Sequence, residues 1–475
     1  MRPGPGVYGF PAAAAIRLFG YSSSDHEKKR VKIAFVSGNR ERLPDAVIPI
    51  GLLYLMANTS DDHEKTLIDL CFEHEPEIAL NNALTDLQPD LVALGMRNIQ
   101  NNDYSGLSDN LNYYADLVRV AHESCNAPVV VGGSGFSVMP SELMDRLNAE
   151  FGISGEGEEA FPKLLTAIED GNHGLDQIGA LYYRVKDGVQ HNDRPPEFLD
   201  MNTLSMPDRR LADSRYYQKY GIDSIQTKRG CPLRCNYCTY PIIEGRIGRV
   251  RDPVAVVDEI FKAVEDRPEL DHFFIVDSVF NLPKSHAKNV CRQLIRRNWK
   301  IPWSCYANPL GFDQEFADLA HEAGCAGMEI GSDSGCDHVL ERLRKGFTID
   351  HIRRLHEICL SAEIPDCHTF ILGTEGESLD DVKTTIEFIT DMDPFSAIIM
   401  IWVDDYEALD PALRDRRIRL RKQVEGLLQE NQHRYPHWSI PALGINFDDR
   451  FFDRLRESGL SGPLWQHVRG PRRPH

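Results

Sequence analysis

Short apolar runs of strand length alternate with amphipathic stretches through the first part of the chain. The runs that we expect to form strands are residues 31–37, 67–70, 91–95, 129–132 and 151–154. This alternation predicts a parallel sheet with helices on both faces. A hairpin around Asp187-Gly188, a strong turn signal, closes the region. We therefore predict a doubly wound, Rossmann-like α/β domain over residues 31–190.

The same alternation becomes more regular farther along the chain. Predicted strands are residues 225–228, 272–277, 303–307, 327–332, 367–373 and 397–403. Amphipathic stretches of helical length lie between them, at residues 253–265, 284–297, 313–323 and 379–390. Six βα units at about thirty-residue spacing favour a partial (β/α)6 barrel over residues 215–404, open on one side. In such barrels, catalytic groups collect at the carboxyl ends of the strands.

The flanking segments have weaker patterns. We interpret residues 1–30 as a flexible lead-in and residues 191–214, rich in proline and polar side chains, as a linker. Residues 405–475 form a C-terminal, mostly helical segment, with one charged helix over residues 409–432. The aromatic stretch after that helix is expected to cap the barrel, and the last seven residues are expected to be disordered.

Composition narrows the class of protein. A net charge of −19 and a pI near 5.4 argue against a nucleic-acid or anionic-membrane partner, which needs a basic face. No apolar run reaches the length of a transmembrane helix, and the N-terminal apolar patch is a poor signal peptide. Eleven cysteines in 475 residues do not resemble a disulfide framework. We therefore expect a reducing, cytoplasmic compartment.

Three of those cysteines, Cys231, Cys235 and Cys238, stand at C-x3-C-x2-C spacing on one short loop. Three thiolates can hold three corners of an iron–sulfur cube and leave the fourth iron open to a substrate, whereas electron-transfer clusters are fully capped. Zinc is the alternative, but structural zinc takes four ligands. His272 and His286 are too remote in sequence to supply the fourth.

Glycine-rich turns follow three predicted strands of the first domain, at residues 95–99, 132–137 and 155–158. Glycines there let a backbone approach a large flat or phosphate-bearing ligand at the carboxyl ends of the strands. The alternative is that they are simply the tight turns of a doubly wound fold. A dinucleotide domain is disfavoured, because no G-x-G-x-x-G follows the first strand.

Taken together, these motifs resemble those of the radical SAM (S-adenosylmethionine) superfamily. The cysteine loop with Glu244-Gly245 and residues 249–251 resembles the family's cluster loop and following turn. Residues 331–335, with Lys345-Gly346 after them, are similar to its "G-x-E-S-G…KG" segment, and residues 372–378 to its "G-x-P-G-E-T" turn. The first domain is similar to the cobalamin-binding domain of one branch. The resemblance covers residues 31–404.

The resemblance implies a role for individual residues. Cys231, Cys235 and Cys238 would ligate a [4Fe–4S] cluster, and Tyr237 would lie against the adenine of SAM. The SAM site would be lined by residues at two strand ends: Asp277, Ser278, Ser332 and Asp333. The corrin or its nucleotide tail would contact the glycine turns: Gly132, Gly133, Ser134, Gly155, Glu156 and Gly157. Arg97 or Asn98 would face the lower side of the cobalt. For Asp277, a helix N-cap or turn role is the alternative.

The chain departs from the family pattern at three places. Asp333 replaces the usual glutamate and is one methylene shorter, and Glu375 replaces a proline. The first domain lacks D-x-H-x-x-G, and residues 69–74 are the nearest stretch. We therefore do not predict a histidine as the lower ligand of the cobalt.

The implied function is a cobalamin-dependent radical SAM enzyme in which SAM yields a 5′-deoxyadenosyl radical. The expected reaction is methyl transfer from methylcobalamin to an unactivated carbon of a small-molecule or natural-product-type substrate. The expected partner is an electron donor such as flavodoxin or ferredoxin. Alternatives are a radical SAM enzyme that does not methylate, with or without cobalamin, and a non-catalytic cobalamin sensor. The sequence does not identify the substrate.

Overall fold

The structure is a computed structural model that describes residues 30–101, 108–195, 197–404 and 408–468. Most of the predicted lead-in and the final seven residues lie outside these ranges. The strands of the first domain are β1 (Lys32–Ser37), β2 (Glu64–Asp69), β3 (Leu91–Gly95), β4 (Gln100–Asn101), β5 (Ser108–Asp109), β6 (Val129–Gly132), β7 (Phe151–Ile153), β8 (Leu181–Val185) and β9 (Gly188–His191). Its helices are α1 (Ile50–Ala57), α2 (Pro76–Leu87), α3 (Asn110–Ser124), α4 (Ser134–Val138), α5 (Pro140–Leu147) and α6 (Ala160–Glu169).

The first sheet has the order β2-β1-β3-β6-β7-β8-β9 in the described part of the chain. Strands β2 to β7 of this order run parallel, and the hairpin β8–β9 joins antiparallel to β7. The buried apolar positions of β1, β3 and β6 explain why the sequence runs were continuous rather than alternating. The doubly wound architecture is therefore confirmed.

The second sheet is built from the remaining long strands. The strands of this region are β10 (Ile222–Ile225), β11 (Lys228–Arg229), β12 (Arg249–Val250), β13 (His272–Ile275), β14 (Trp303–Ala307), β15 (Cys325–Asp333), β16 (Asp366–Leu372), β17 (Ser396–Ile401) and β18 (Trp438–Ser439). The helices are α7 (Ser214–Tyr220), α8 (Tyr240–Glu244), α9 (Pro253–Asp266), α10 (Lys284–Arg296), α11 (Gln314–Glu322), α12 (Asp337–Arg342), α13 (Ile349–Ser361), α14 (Leu379–Met392), α15 (Pro411–Asn431), α16 (Asp449–Glu457) and α17 (Trp465–Val468).

Strands β10-β13-β14-β15-β16-β17-β18 lie side by side in this order and are all parallel. The partial barrel and the helical C-terminal region are confirmed. Helix starts are fixed by side-chain caps: Asp252 accepts from the Val254 amide, and Ser378 and Asp381 form a capping box. Among the described helices, none is long and apolar enough to cross a membrane.

Two details differ from the sequence prediction. The first barrel strand ends at Ile225 and not at Lys228, because Lys228 and Arg229 pair antiparallel with Val250 and Arg249. The short strand β18, which the sequence did not predict, extends the sheet beyond β17. The C-terminal segment therefore contributes to the barrel sheet itself.

The two domains pack directly on each other. One cluster of buried apolar side chains includes Phe35 and Phe161 of the first domain together with Phe273 of the second. A buried polar network crosses the same interface: the Tyr54 hydroxyl donates to Glu259 at 2.9 Å, and Arg251 pairs with Glu259 at 2.6 Å. Charges in such a place are tolerated when they are paired, so this network fixes the relative position of the domains.

Candidate active site

The loop with the three cysteines follows β11 at the carboxyl end of the barrel sheet. Gly230 has a φ of +90°, and a Cβ there would lie 2.1 Å from the Ile247 carbonyl oxygen, so the turn into the loop requires glycine. The Cys231 amide donates to the Gly245 carbonyl at 3.1 Å. Asn236 is anchored to the end of α12, because its amide donates to the Leu343 carbonyl at 3.2 Å.

All three thiols are free; Cys231 is buried, whereas Cys235 and Cys238 are partly exposed. Burial raises the pKa of Cys238, and the charges of Cys235 and Cys231 on the same loop raise it further. This donor set fits three corners of an iron–sulfur cluster. The two histidines weighed above are engaged elsewhere: His272 with Ser304 at 3.0 Å and His286 with Thr227 at 3.0 Å.

Tyr237, on the cysteine loop, meets Asp333 at the end of β15. The Tyr237 hydroxyl donates to Asp333 Oδ2 at 2.5 Å, and Lys345 Nζ lies 2.8 Å from the same oxygen. Burial, then the charge of Asp333, raises the pKa of Tyr237 far above its usual value. Asp333 has a φ of +63°, a strained conformation for a residue with a side chain. The Trp402 ring packs edge-on against Tyr237 at 6.1 Å.

Asp277, just beyond β13, is fully buried and accepts hydrogen bonds from the lead-in to the cysteine loop. The Thr227 amide and hydroxyl donate to it at 2.7 and 2.5 Å, and the Lys228 amide donates at 3.1 Å. Burial raises the pKa of Asp277, an effect that Lys228 partly offsets. These contacts agree with the turn role that was the alternative for Asp277. The adjacent Ser278 hydroxyl is buried and has no protein partner in the structure.

Ser332 is the other predicted SAM-site residue of β15. It belongs to a buried hydrogen-bond network with His368 and Asp366. Its hydroxyl lies 2.7 Å from His368 Nδ1, and His368 Nε2 lies 3.0 Å from Asp366 Oδ2. His356 Nδ1 reaches the same carboxylate oxygen at 2.6 Å. Burial alone would raise the pKa of Asp366, but the two histidines hold it well below its usual range. This hydrogen-bond network holds the end of β15, next to Asp333, against β16.

The glycine turns of the first domain contact each other. Gly133 has a φ of +97°, and a Cβ there would lie 2.6 Å from the Met96 carbonyl oxygen. The Ser134 hydroxyl donates to the Arg97 carbonyl at 2.8 Å. The Gly155 amide donates to Ser137 Oγ at 2.7 Å. The turns after β3, β6 and β7 are thus joined into one surface. The Arg97 side chain is exposed there, and Asn98 is partly exposed.

The turn after β7 has a partner that the sequence did not reveal. Glu156 pairs with Arg229 at 3.1 Å and with Arg249 at 2.8 Å. Arg229 also reaches Glu158 at 2.5 Å. Burial opposes ionisation of Glu158, but Arg229 lowers the pKa of that carboxyl below its usual value. The predicted cobalamin contact Glu156 is therefore already bound to the β11–β12 hairpin. Gly157, next to it, lies beside Leu55.

The two sets of turns lie next to each other across the domain interface. Helix α4, which begins in the Gly132-Gly133 turn, contacts α8, which follows Cys238 directly. Burial raises the pKa of Tyr240 at the start of α8, and the charge of Arg97 partly opposes this rise. The cysteine loop and the glycine turns thus face one region of the interface.

Comparison with known proteins agrees with this arrangement. The profile of the radical SAM superfamily matches residues 225–389, and that of the B12-binding domain matches residues 38–165. The chain therefore belongs to the radical SAM enzymes that carry a B12-binding domain. This confirms the predicted cofactor classes, a [4Fe–4S] cluster, SAM and cobalamin, at the level of the two domains.

Several relatives are methyltransferases. The tryptophan 2-C-methyltransferase of Streptomyces laurentii is 25% identical over 425 residues, which cover 76% of this chain and 70% of the relative. The structure of the radical SAM methyltransferase TsrM from Kitasatospora setae, with cobalamin and a [4Fe–4S] cluster bound, is 25% identical. It matches with a TM-score of 0.69 and covers 78% of this chain and 72% of that one. The cobalamin-dependent radical enzyme OxsB is 19% identical and matches with a TM-score of 0.66. The match covers 86% of this chain and 60% of the OxsB chain, and it shows that the two share a fold.

Sequence reasoning missed three residues of this region. Lys345 stood in a quoted motif but received no role, although the structure pairs it with Asp333. Arg229 and Arg249 flank the cysteine loop, and nothing in the sequence indicated that Glu156, far away in the chain, would pair with both.

Proposed function

We propose that this protein is a cobalamin-dependent radical SAM C-methyltransferase that acts on a small molecule. The observation that supports it most is the contact between α4 and α8, which brings the glycine turns of the B12-binding domain beside the three-cysteine loop. A methyl carrier and a radical source must act on one substrate in turn, so their binding loops have to share one chamber.

Cys231, Cys235 and Cys238 are proposed to hold the cluster, and the chemistry that the bound cofactors supply is one-electron cleavage of SAM and delivery of a methyl group. The chain's part is to place them. The buried Asp277 fixes the lead-in to the loop through the Thr227 amide and hydroxyl. The hydrogen bonds of Asn236 fix the far side of the loop to α12.

The SAM contacts are proposed to come from the ends of β13 and β15 together with the loop. Tyr237 presents a ring whose hydroxyl is held by Asp333, so its orientation is set before SAM arrives. The Ser278 hydroxyl, buried without a protein partner, is available to a ligand. Asp333 already pairs with Lys345, so we assign it an orienting role and Ser332 a supporting one.

The cobalamin contacts are proposed to be the exposed parts of the glycine turns. Gly132, Gly133 and Ser134 offer a close backbone approach, and the Arg97 and Asn98 side chains lie at the adjacent strand end. Gly155 and Gly157 flank this surface, while Glu156 holds the cluster-side hairpin through Arg229 and Arg249. Glu156 would then hold the turn after β7 and the cysteine loop in a fixed relative position.

The proposed substrate class is supported by the relatives, and the proposed cellular compartment is supported by the free thiols. TsrM has been solved with tryptophan and a SAM analogue, which supports a small-molecule substrate here. Eleven free thiols support a reducing, cytoplasmic compartment. A low-potential donor such as flavodoxin or ferredoxin would supply the electron.

The test is anaerobic reconstitution with iron, sulfide and cobalamin, followed by incubation with SAM, a reductant and a panel of small molecules. We expect S-adenosylhomocysteine, 5′-deoxyadenosine and a methylated product to form together. Deoxyadenosine without S-adenosylhomocysteine or methylated product would support a non-methylating radical enzyme instead. Cobalamin binding without any cleavage of SAM would support the sensor.

A further inference from the structure

One face of the barrel strands is open to an internal space, here called the lumen. In β15, Met328 and Ile330 are buried against the outer helices, whereas Glu329 and Gly331, which alternate with them, are partly exposed. Strand β16 shows the same alternation, with Thr369 and Ile371 partly exposed. Because alternate residues of a strand point to opposite faces, the partly exposed set lines the lumen. In β17, Ile398 and Met400 continue this set.

The amino end of the lumen is closed by the C-terminal segment. The Trp465 indole N–H donates to Glu329 Oε1 at 2.9 Å, and Gln466 Nε2 donates to the Ala326 carbonyl at 3.0 Å. Gly327 allows this approach, since a Cβ there would lie 2.5 Å from the Trp465 ring. Trp465 thus forms a floor, and the cysteine loop lies at the opposite end.

Glu329 is an unusual group to find on that floor. Among the described residues, no basic side chain lies within 4.0 Å of its carboxylate, in contrast to Asp333 with Lys345 or Glu259 with Arg251. Burial raises the pKa of Glu329 to about 7, the Trp465 hydrogen bond opposes the rise, and Asp45 adds to it. A carboxylate without a counter-charge in such a place costs stability unless a ligand supplies the cation.

Aromatic rings stand beside Glu329 on the same face. Tyr306 of β14 is in direct register with Glu329 and remains 39% exposed. Its ring packs edge-on against Phe274 of β13 at 4.9 Å between centroids. A carboxylate beside exposed aromatic rings is a combination that recognises ammonium groups. Ile371, Ile398 and Met400 offer apolar surface for the rest of a ligand.

We propose that Glu329 and Tyr306 form a recognition subsite for a protonated amine of the substrate, on the lumen floor made by Trp465. Glu329 and Asp333 are four positions apart on β15, which is about 13 Å along the strand, so a small molecule held by its amine would extend toward the cysteine loop. This proposal deepens the proposed function and rests on it, since it takes the lumen as the substrate chamber.

The experiment uses the reconstituted protein with cluster, cobalamin and SAM, titrated by calorimetry with 2-phenylethylamine and with the uncharged 2-phenylethanol. We expect the amine to bind at least about tenfold more tightly than the alcohol, a difference of roughly 1.4 kcal/mol or more. Equal affinities, or no binding of the amine at millimolar concentration, would overturn the proposal without any variant being made.

Variants then locate the effect. Glu329→Gln should abolish the preference for the amine and leave the alcohol unaffected, and Glu329→Asp should retain part of it. Glu357→Gln, which alters an exposed glutamate on α13, serves as the matched control and should behave as wild type. An E329Q protein that keeps the amine preference would contradict the assignment. Iron content and 5′-deoxyadenosine formation are measured in parallel: if these are normal and the preference is absent, the subsite fails while the proposed function stands.

Discussion

The Tyr237 hydroxyl donates a 2.5 Å hydrogen bond to Asp333, so the loop with the three cysteines is tied directly to the end of a barrel strand. Lys345 completes the arrangement at 2.8 Å from the same carboxylate oxygen. Asp333 adopts its left-handed conformation while holding both partners. Asp333 thus connects the cysteine loop to β15 through its contacts with Tyr237 and Lys345.

Removal of the Asp333 carboxylate should destabilise the protein strongly. Asp333→Ala leaves the Lys345 ammonium buried without its partner, which costs about 3–5 kcal/mol. Urea unfolding of the apoprotein measures this loss, and Asp350→Ala, at an exposed position on α13, is the control. The double variant D333A/K345M should recover a large part of the stability. If D333A alone unfolds like wild type, the buried ion pair is not formed.

Gly133 and Gly132 provide a matched pair for the cobalamin turn. Gly133→Ala forces a side chain into a conformation with a φ of +97° and places its Cβ 2.6 Å from the Met96 carbonyl oxygen. We expect a loss of at least about 1–3 kcal/mol of stability. Gly132→Ala meets its nearest atom at an ordinary 3.5 Å and should change the free energy of unfolding much less. Similar losses for both variants would show that the turn does not have this geometry.

The strands were predictable because strands of a parallel sheet that are buried on both faces have continuous apolar sequences. The predicted strand at 303–307 is Trp303–Ala307 in the structure. The predicted strand at 225–228 was wrong at its end, since the pairing of Lys228 with Val250 depends on residues that follow the cysteine loop. Local patterns do not contain such pairings.

The sequence indicated individual residues of the site, but it did not indicate the hydrogen bonds and ion pairs that join them. Motifs singled out Tyr237 and Asp333 separately, but their hydrogen bond joins residues 96 positions apart. The pairing of Glu156 with Arg229 spans 73 positions and crosses the domain interface. Ion pairs of this kind depend on tertiary packing. The position of Glu156 in a glycine-rich turn therefore did not predict its pairing with Arg229 and Arg249 beside the cysteine loop.

The stability of the protein should depend on pH through Glu329. Its pKa is raised from 4.5 to about 7 in the folded protein, mainly by burial. The folded state therefore holds a proton there that the unfolded state has lost, and the free energy of unfolding should fall as pH rises between these values. Glu329→Gln removes this dependence. We expect E329Q to gain roughly 1–2 kcal/mol relative to wild type between about pH 5 and about pH 8. A difference that does not vary with pH would contradict the shift.

The most direct test of the central claim is the cofactor content of a cysteine variant with a matched control. Reconstituted wild type should hold about four irons per chain and release 5′-deoxyadenosine from SAM under reducing conditions. Cys235→Ala should lose the stable cluster and this activity, while Cys125→Ala, at a buried free cysteine of the first domain, should keep both. If C235A retained a full cluster and cleaved SAM like wild type, the assignment of Cys231, Cys235 and Cys238 as the cluster site would be wrong.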